Sequence, residues 1–396
     1  MTPAAGARRQ AGTRLSRERS RGKNSHAFLR ASPLATEITS HAEHHARAAG
    51  LTYVSDLEPG IRRKRAGTGF SYWSPSRKLI GDKPTLARIR KLAVPPAWSE
   101  VWICPDANGH IQATGRDARG RKQYRYHDDW RGVRDLDKYE RLIDFAKLLP
   151  RIRQRIDADM GRRGTPREKV LATVVSLLDK TLIRVGNGEY ARDYDSYGLT
   201  TLRTRHLDVQ GSELRFHFKG KSGKTWRLRV RDRRIARVVR SIQDLPGQHL
   251  FQYVDDDGEI RSVRSTDVND YLREIAAAEV SAKDFRTWAG TVLAALALGA
   301  IGPFTTQTQA KMNVRRAIEA VAAKLGNTAT ICRKCYIHPQ VVALYLEGTL
   351  PLVRAGDGRS SSGLPREEAA VLRILGKRLL RKSTQPAQDR KGGLAA

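Results

Sequence analysis

The sequence predicts an α+β protein: a small N-terminal β-sheet domain followed by a mainly α-helical domain carrying an inserted β-hairpin. Three observations lead there. Between Leu51 and Arg131, the runs FSYW, VWICP and HIQATG are short and β-rich, separated by Gly, Pro and Asp turns. After Gly132 the apolar period lengthens, with Leu136, Tyr139, Leu142/Ile143, Ala146, Leu149, Ile152 and Ile156 at helical spacing. Leu214, Phe216 and Phe218, then Trp226, Leu228 and Val230, alternate at period two on either side of KGKSGK (219–224), which marks two strands and their tip.

Taken in order, residues 1–47 read as a basic, disordered arm; the first 30 hold seven Arg, one Lys and one acid. The HAEHH cluster (His41, Glu43, His44, His45) beside it lacks the spacing of a known metal site. The sheet domain is expected over 48–132 and the helical domain over 133–355. Within the latter, Pro150 is expected to break or kink the first helix. Thr165-Pro166-Arg167-Glu168 offers an N-cap, a first-turn proline and a capping-box acid for a second helix through Val170, Val174, Leu177 and Leu178. Residues 287–310 carry no charge, but the solidly apolar part, Trp288 to Ile301, is too short to cross a bilayer and predicts a buried helix. Residues 356–396 read as a linker (GDGRSSSG, 356–363), a short helix from Pro365 to about Leu380, and a basic tail.

Composition bounds the function. The 396 residues suit two or three domains, and a formal charge of +32 calls for a polyanion partner whose condensed counterions Lys and Arg replace. Cys104, Cys332 and Cys335 are too few for a disulfide framework or a four-cysteine zinc site, which fits a reducing cytoplasm. The N-terminal residues show no apolar core of a signal peptide. No P-loop, GxGxxG, HExxH or paired-carboxylate pattern appears, and no cofactor or metal is expected.

Five positions stand out: Arg184 in IRVGNGEY, Lys221 at the hairpin tip, Arg286 in KDFRTW, Asn327 in LGNTAT and Tyr336 in CRKCYIHP. Singly, each has an ordinary reading as a solvated charge, a soluble turn, a cap for the following helix or a packing ring. Together with ATGRDARGRKQYRY (113–126) and YGLTTLRTRH (197–206), the ordered segments resemble the type IB DNA topoisomerases in their small poxvirus-like and bacterial form. The resemblance spans about residues 50 to 350. It implies a helical catalytic domain of the tyrosine recombinase and type IB topoisomerase type, clamped with the sheet domain around double-stranded DNA. It implies relaxation of supercoils, without ATP or metal, through a transient 3′-phosphotyrosyl link. Tyr336 would be the nucleophile, Arg184 and Arg286 would bind the scissile phosphate, and Lys221 would be the general acid. Arg121, Lys122, Gln123, Tyr124 and Tyr126, with Lys219 and Lys224 beside the tip, would contact DNA. The chain departs from the poxvirus and eukaryotic members at Asn327, where they carry histidine nine positions before the nucleophile.

The chemistry stands without the resemblance. Opening a strand while conserving its bond energy needs a nucleophile that belongs to the protein. Two guanidiniums can grip the nonbridging oxygens and neutralise charge growing on phosphorus. A poor alkoxide leaving group needs a proton, which Lys221 can supply, and Asn327 can donate a hydrogen bond to a phosphate oxygen but cannot titrate. Two other readings stay open at this point. A tyrosine site-specific recombinase shares this chemistry, although such enzymes typically have histidine where this chain has Lys283. A non-enzymatic nucleoid-binding protein would satisfy the charge alone; the enzyme reading expects a monomer in the cytoplasm, associated with the nucleoid.

Overall fold

The computed structural model of the chain describes residues 43–356 and 358–383. Most of the basic arm, His41 of the HAEHH cluster and the end of the basic tail lie outside the described residues. The protein is α+β and divides into two compact units at Arg134/Asp135.

The first unit is a five-stranded antiparallel sheet in the order β2-β1-β3-β4-β5, with β1 Ile61–Ala66, β2 Gly69–Trp73, β3 Ser99–Ile103, β4 Ile111–Arg116 and β5 Lys122–Tyr126. Its core is small: Ile61, Ile89, Val101, Ile103 and Ala113. The strand β1, IRRKRA, has no apolar alternation to announce it. Arg63 is accommodated because its guanidinium donates to the carbonyls of Val94, Pro95 and Trp98 at 3.2, 3.1 and 2.6 Å. Helix α1, Lys83–Lys91, was equally silent in the apolar pattern; Asp82 caps it by accepting from the Thr85 amide at 2.9 Å. Residues 43–48 are helical, and the Ala46 methyl packs with Leu51 and Trp130. Residues 43–47, the last of the stretch read as a disordered arm, are therefore helical and packed, where a single alanine is too faint a core signal.

The dividing point falls inside helix α2, Asp128–Asp159, which runs on through Pro150 without ending there. The expected break does not occur. Ala146, Leu149, Ile152 and Ile156 stay on one buried face, and burying them offsets the roughly 3 kcal/mol that an interior proline costs. Helix α3, Arg167–Thr181, starts one residue later than its sequence suggested: Pro166 is the cap residue, no side chain caps it, and the Thr165 carbonyl instead accepts from Val254 at 3.4 Å. Helix α4, Gly188–Tyr194, precedes a three-stranded meander of β6 Leu207–Gln210, β7 Glu213–Lys219 and β8 Thr225–Arg231. Phe218 faces Trp226, Phe216 faces Leu228 and Leu214 faces Val230. The first of these strands, LDVQ, is too short to stand out by alternation.

Helix α5, Arg233–Gln243, the ribbon β9 Gln252–Val254 with β10 Ile260–Ser262, and helix α6, Ser265–Ala276, lead to the central helix α7, Ala282–Ile301. Among the described residues no helix is long and apolar enough to cross a membrane. Helices α8 Gln307–Leu325, α9 Ala329–Tyr336, α10 Pro339–Leu346 and α11 Arg366–Ser383 complete the unit. The short helix expected from Pro365 to about Leu380 is α11, and it shares this core: Leu364 before it, and Val371 and Leu375 within it, are buried. Arg153 of α2 bonds both Asp179 and Glu368 at 2.8–3.1 Å, tying α11 to α2 and α3. With two carboxylates around it, the half-buried Arg153 guanidinium is held firmly protonated.

Candidate active site

Arg184 owes its place to two segments pressed together. Leu182 adopts a left-handed conformation (φ 58°) that ends α3 and turns the chain. The amides of Leu199 and Thr200 then donate to the carbonyls of Arg184 and Val185 at 2.9 and 2.7 Å. Contact is so close that a Cβ on Gly198 would lie 2.5 Å from the Arg184 oxygen. That is why YGLTT and RVGNG read as two separate motifs yet form one wall. The Arg184 guanidinium donates to the Gly326 carbonyl at 3.0 Å and to Oδ1 of Asn327. Burial pulls its pKa below the ordinary arginine value.

Arg286 sits in the second turn of α7, whose start is fixed by Asp284 accepting from the Ser281 amide and hydroxyl, both at 2.8 Å. It is only 3% exposed. One Nη donates to the Leu325 carbonyl at 2.8 Å and the other to that of Leu182, while its Nε has no partner. Its guanidinium carbon lies 5.2 Å from the centre of the Tyr336 ring. Burial, and then the neighbouring charge of Arg184, lower its pKa to about 10, which leaves it charged at neutral pH. Two desolvated cations side by side are costly unless an anion joins them.

Asn327 follows the end of α8, where Gly326 (φ 63°) and Asn327 donate from their amides to Ala323 and Ala322 at 3.3 and 3.0 Å. This turn, sealed by Trp226 of β8 against Gly326, aims the Asn327 carbonyl oxygen at Arg184 and leaves its buried Nδ2 without a partner. Thr328, not Asn327, caps α9 by accepting from the Ile331 amide at 3.3 Å. Tyr336 is the last residue of that helix. Cys332 is buried inside it, with its thiol pKa pushed up to about 11 by desolvation, and Cys335 is half-buried.

Lys221 begins the turn at the tip of β7 and β8, in which Ser222 and Gly223 are left-handed (φ 62° and 74°). The tip is tethered to the wall beside Arg184: Ser196 Oγ donates to the Gly220 carbonyl and the Tyr197 amide to that of Lys219, both at 2.8 Å. Lys219 and Lys224 flank it, exposed. Arg184, Lys221, Arg286 and Tyr336 thus line one cavity of about 420 Å³, and Asn327 joins them through Arg184. Among the described residues lining it there is no carboxylate. Tyr190, Asn269 and Lys283 line it too and were not singled out as site residues. Tyr190 left a trace in IRVGNGEY, where Asn187 caps α4, and Lys283 opens KDFRTW, whereas Asn269 left none.

The positions expected to contact DNA from the sheet unit lie on the edge strand β5 and the turn before it. Tyr124 is 42% exposed and stacks on Tyr126 with ring centres 5.7 Å apart. Lys122 pairs with Asp56 at 2.6 Å. Arg121 and Gln123 both bond Asp117, at 2.6 and 3.0 Å, which holds that carboxylate near pKa 2 chiefly through Arg121. Asp117 therefore presets the two side chains rather than leaving them free, a role the motif GRDARGRKQY contains but does not declare.

Residues 127–348 match the family described as eukaryotic DNA topoisomerase I, catalytic core, and residues 69–117 match bacterial DNA topoisomerase IB, N-terminal domain. The chain is 31% identical to DNA topoisomerase 1B of Acanthamoeba polyphaga mimivirus over 296 residues, covering 73% of this chain and 88% of that protein. It is 22% identical over 144 residues to DNA topoisomerase I of monkeypox virus and to DNA topoisomerase 1B of vaccinia virus (strain Copenhagen), covering 35% of this chain and 46% of theirs. With a catalytic-core match over more than half its length and a relative aligned across most of both proteins, this chain belongs to the type IB DNA topoisomerase family.

Proposed function

We propose that the protein relaxes positive and negative supercoils in double-stranded DNA by cutting and rejoining one strand through Tyr336. The observation that carries this reading is a carboxylate-free cavity where two desolvated arginines, each bonded to backbone carbonyls, face a tyrosine and a lysine. The phenolic oxygen of Tyr336 attacks phosphorus and its proton leaves to solvent. Arg184, Arg286 and the unpartnered Nδ2 of Asn327 neutralise charge on the nonbridging oxygens. Lys221 protonates the departing 5′ oxygen, leaving a 3′-phosphotyrosyl bond. After strand rotation the 5′ hydroxyl attacks in reverse, so the bond energy is conserved without ATP. We read the enzyme as a monomer on the cytoplasmic nucleoid, because one chain supplies every proposed catalytic group. We read the clamp in the same way, from basic residues on β5 of one unit and around the cavity of the other. The test is relaxation of both supercoil signs in excess chelator without ATP, with a protein–DNA adduct trapped by denaturant; no adduct refutes the reading.

Two outcomes follow from residues already placed. Asn327→Ala removes a donor whose bond to the anionic phosphate strengthens as further charge develops on the nonbridging oxygens. Single-turnover cleavage and religation should both slow by about one to two decades with DNA affinity intact. Because Thr328 supplies the cap, thermal stability should hardly change, and an unchanged rate removes Asn327 from the mechanism. Deleting residues 1–40 removes seven Arg and one Lys but no group of the cavity. Binding should weaken with a shallower dependence on salt, while cleavage at saturating enzyme stays the same.

A further inference from the structure

A tyrosine that ends a helix is a poorly fixed nucleophile, since the last-turn carbonyls lack intrahelical donors and the turn tends to fray. Here the backbone around Tyr336 is held on two sides. From α2, Lys138 Nζ donates to the Cys335 carbonyl at 2.8 Å. The Tyr139 hydroxyl lies 3.2 Å from the Lys334 carbonyl and 3.0 Å from that of Ile337, sharing one proton across the two residues that bracket Cys335 and Tyr336. From α7, Gly290 admits the Tyr336 carbonyl so closely that a Cβ there would lie 2.5 Å from it, and Thr291 Oγ1 accepts from the His338 amide at 3.0 Å. Gly290 is one turn beyond Arg286, so the helix that presents the phosphate-binding guanidinium also sets the height of the tyrosine.

We propose that Lys138 and Tyr139 are positioning residues for the nucleophile, an inference that rests on the Tyr336 reading above. They fix the backbone of residues 334–337 so that the phenolic oxygen meets phosphorus in line with the leaving oxygen. Tyr139 is 7% exposed and its ring packs on His338 at 4.7 Å; Tyr139→Phe keeps that packing and removes only the shared hydroxyl. Small displacements of a reacting group cost far more rate than stability.

The test uses the full chain as parent, Tyr139→Phe, Lys138→Met and Lys138→Arg, with single-turnover cleavage of a duplex at saturating enzyme, DNA affinity and thermal unfolding measured for each. Tyr139→Phe should cleave roughly tenfold more slowly, as expected for one lost hydrogen bond amplified by misplacement. Its DNA affinity should be unchanged and it should be folded at the assay temperature. Lys138→Met should slow cleavage and Lys138→Arg, which retains a donor for the Cys335 carbonyl, should restore most of the rate. A substrate with sulfur at the 5′-bridging position should leave the Tyr139→Phe deficit in place, because attack rather than protonation is impaired. The proposal is overturned if Tyr139→Phe stays within about twofold of the parent, if its loss is matched by weaker DNA binding, or if the sulfur substrate erases it. Should Tyr139→Phe not fold, the Lys138 pair decides: equal defects in Met and Arg variants overturn the proposal. Mapping the parent's adduct by mass spectrometry keeps the premises apart, since an adduct on another residue refutes Tyr336 itself.

Discussion

Tyr336→Phe is expected to bind duplex DNA like the parent, form no covalent adduct and relax no supercoils. The ring is retained, so its packing beside the Arg286 guanidinium at 5.2 Å persists. Arg286 loses its contact with the phenol oxygen, but the bonds of Arg184 and Arg286 to Leu182, Leu325, Gly326 and Asn327 do not involve the phenol and stay intact. Affinity, which comes from such charges and from the basic surface, should therefore survive. What disappears is the oxygen that the proposed reaction uses to store the phosphodiester energy, so the expected effect is total rather than graded. A water attacking in its place would leave a permanent nick that cannot be resealed. Gel analysis in denaturant with and without protease separates the cases: nicks without adduct mean misdirected attack, whereas relaxation above background, with or without an adduct, removes Tyr336 from the role.

What the sequence makes legible is chemistry carried by side-chain identity. Arg184, Lys221, Arg286 and Tyr336 stand in long, ordered motifs and line one cavity. What it hides is whatever depends on backbone. The partners of both arginines are mostly carbonyls of Leu182, Leu325 and Gly326, and any residue supplies a carbonyl. Gly198 and Gly290 matter for the atoms they admit, which only folding reveals. Asn327 was open to a capping reading because Asn-Thr-Ala-Thr offers two candidate caps one residue apart, and the helix start selects Thr328. In the sheet unit, β1 escapes notice because Arg62, Arg63, Lys64 and Arg65 obscure a strand buried mainly at Ile61. The C-terminal helix is legible as a helix, but its place in the core is not: Val371, Leu375 and the Glu368–Arg153 pair join it to the rest of the unit.

Lys221→Ala should lower the rate of strand cleavage by roughly 10²–10⁴ on an ordinary phosphodiester, the usual worth of a general acid. The variant should fold, because the tip does not depend on that side chain. Gly220 donates to the Lys224 carbonyl and Ser196 to that of Gly220, both at 2.8 Å, and the left-handed turn is made by Ser222 and Gly223. Two roles for Lys221 predict different substrate responses. If it delivers a proton to the 5′ oxygen, a 5′-bridging sulfur should restore most of the lost rate, since a thiolate with a parent thiol pKa of about 8.5 leaves without protonation. If Lys221 only holds the tip on a phosphate, sulfur gives no selective rescue, and the loss should instead follow a weaker affinity and a shallower salt slope. Lys283, another exposed lysine of the same cavity, provides the control: Lys283→Ala should keep the parent's ratio of sulfur to oxygen rates. A rescue shared equally by both variants would show that the cavity's summed charge assists the leaving group, and would take the proton transfer away from Lys221.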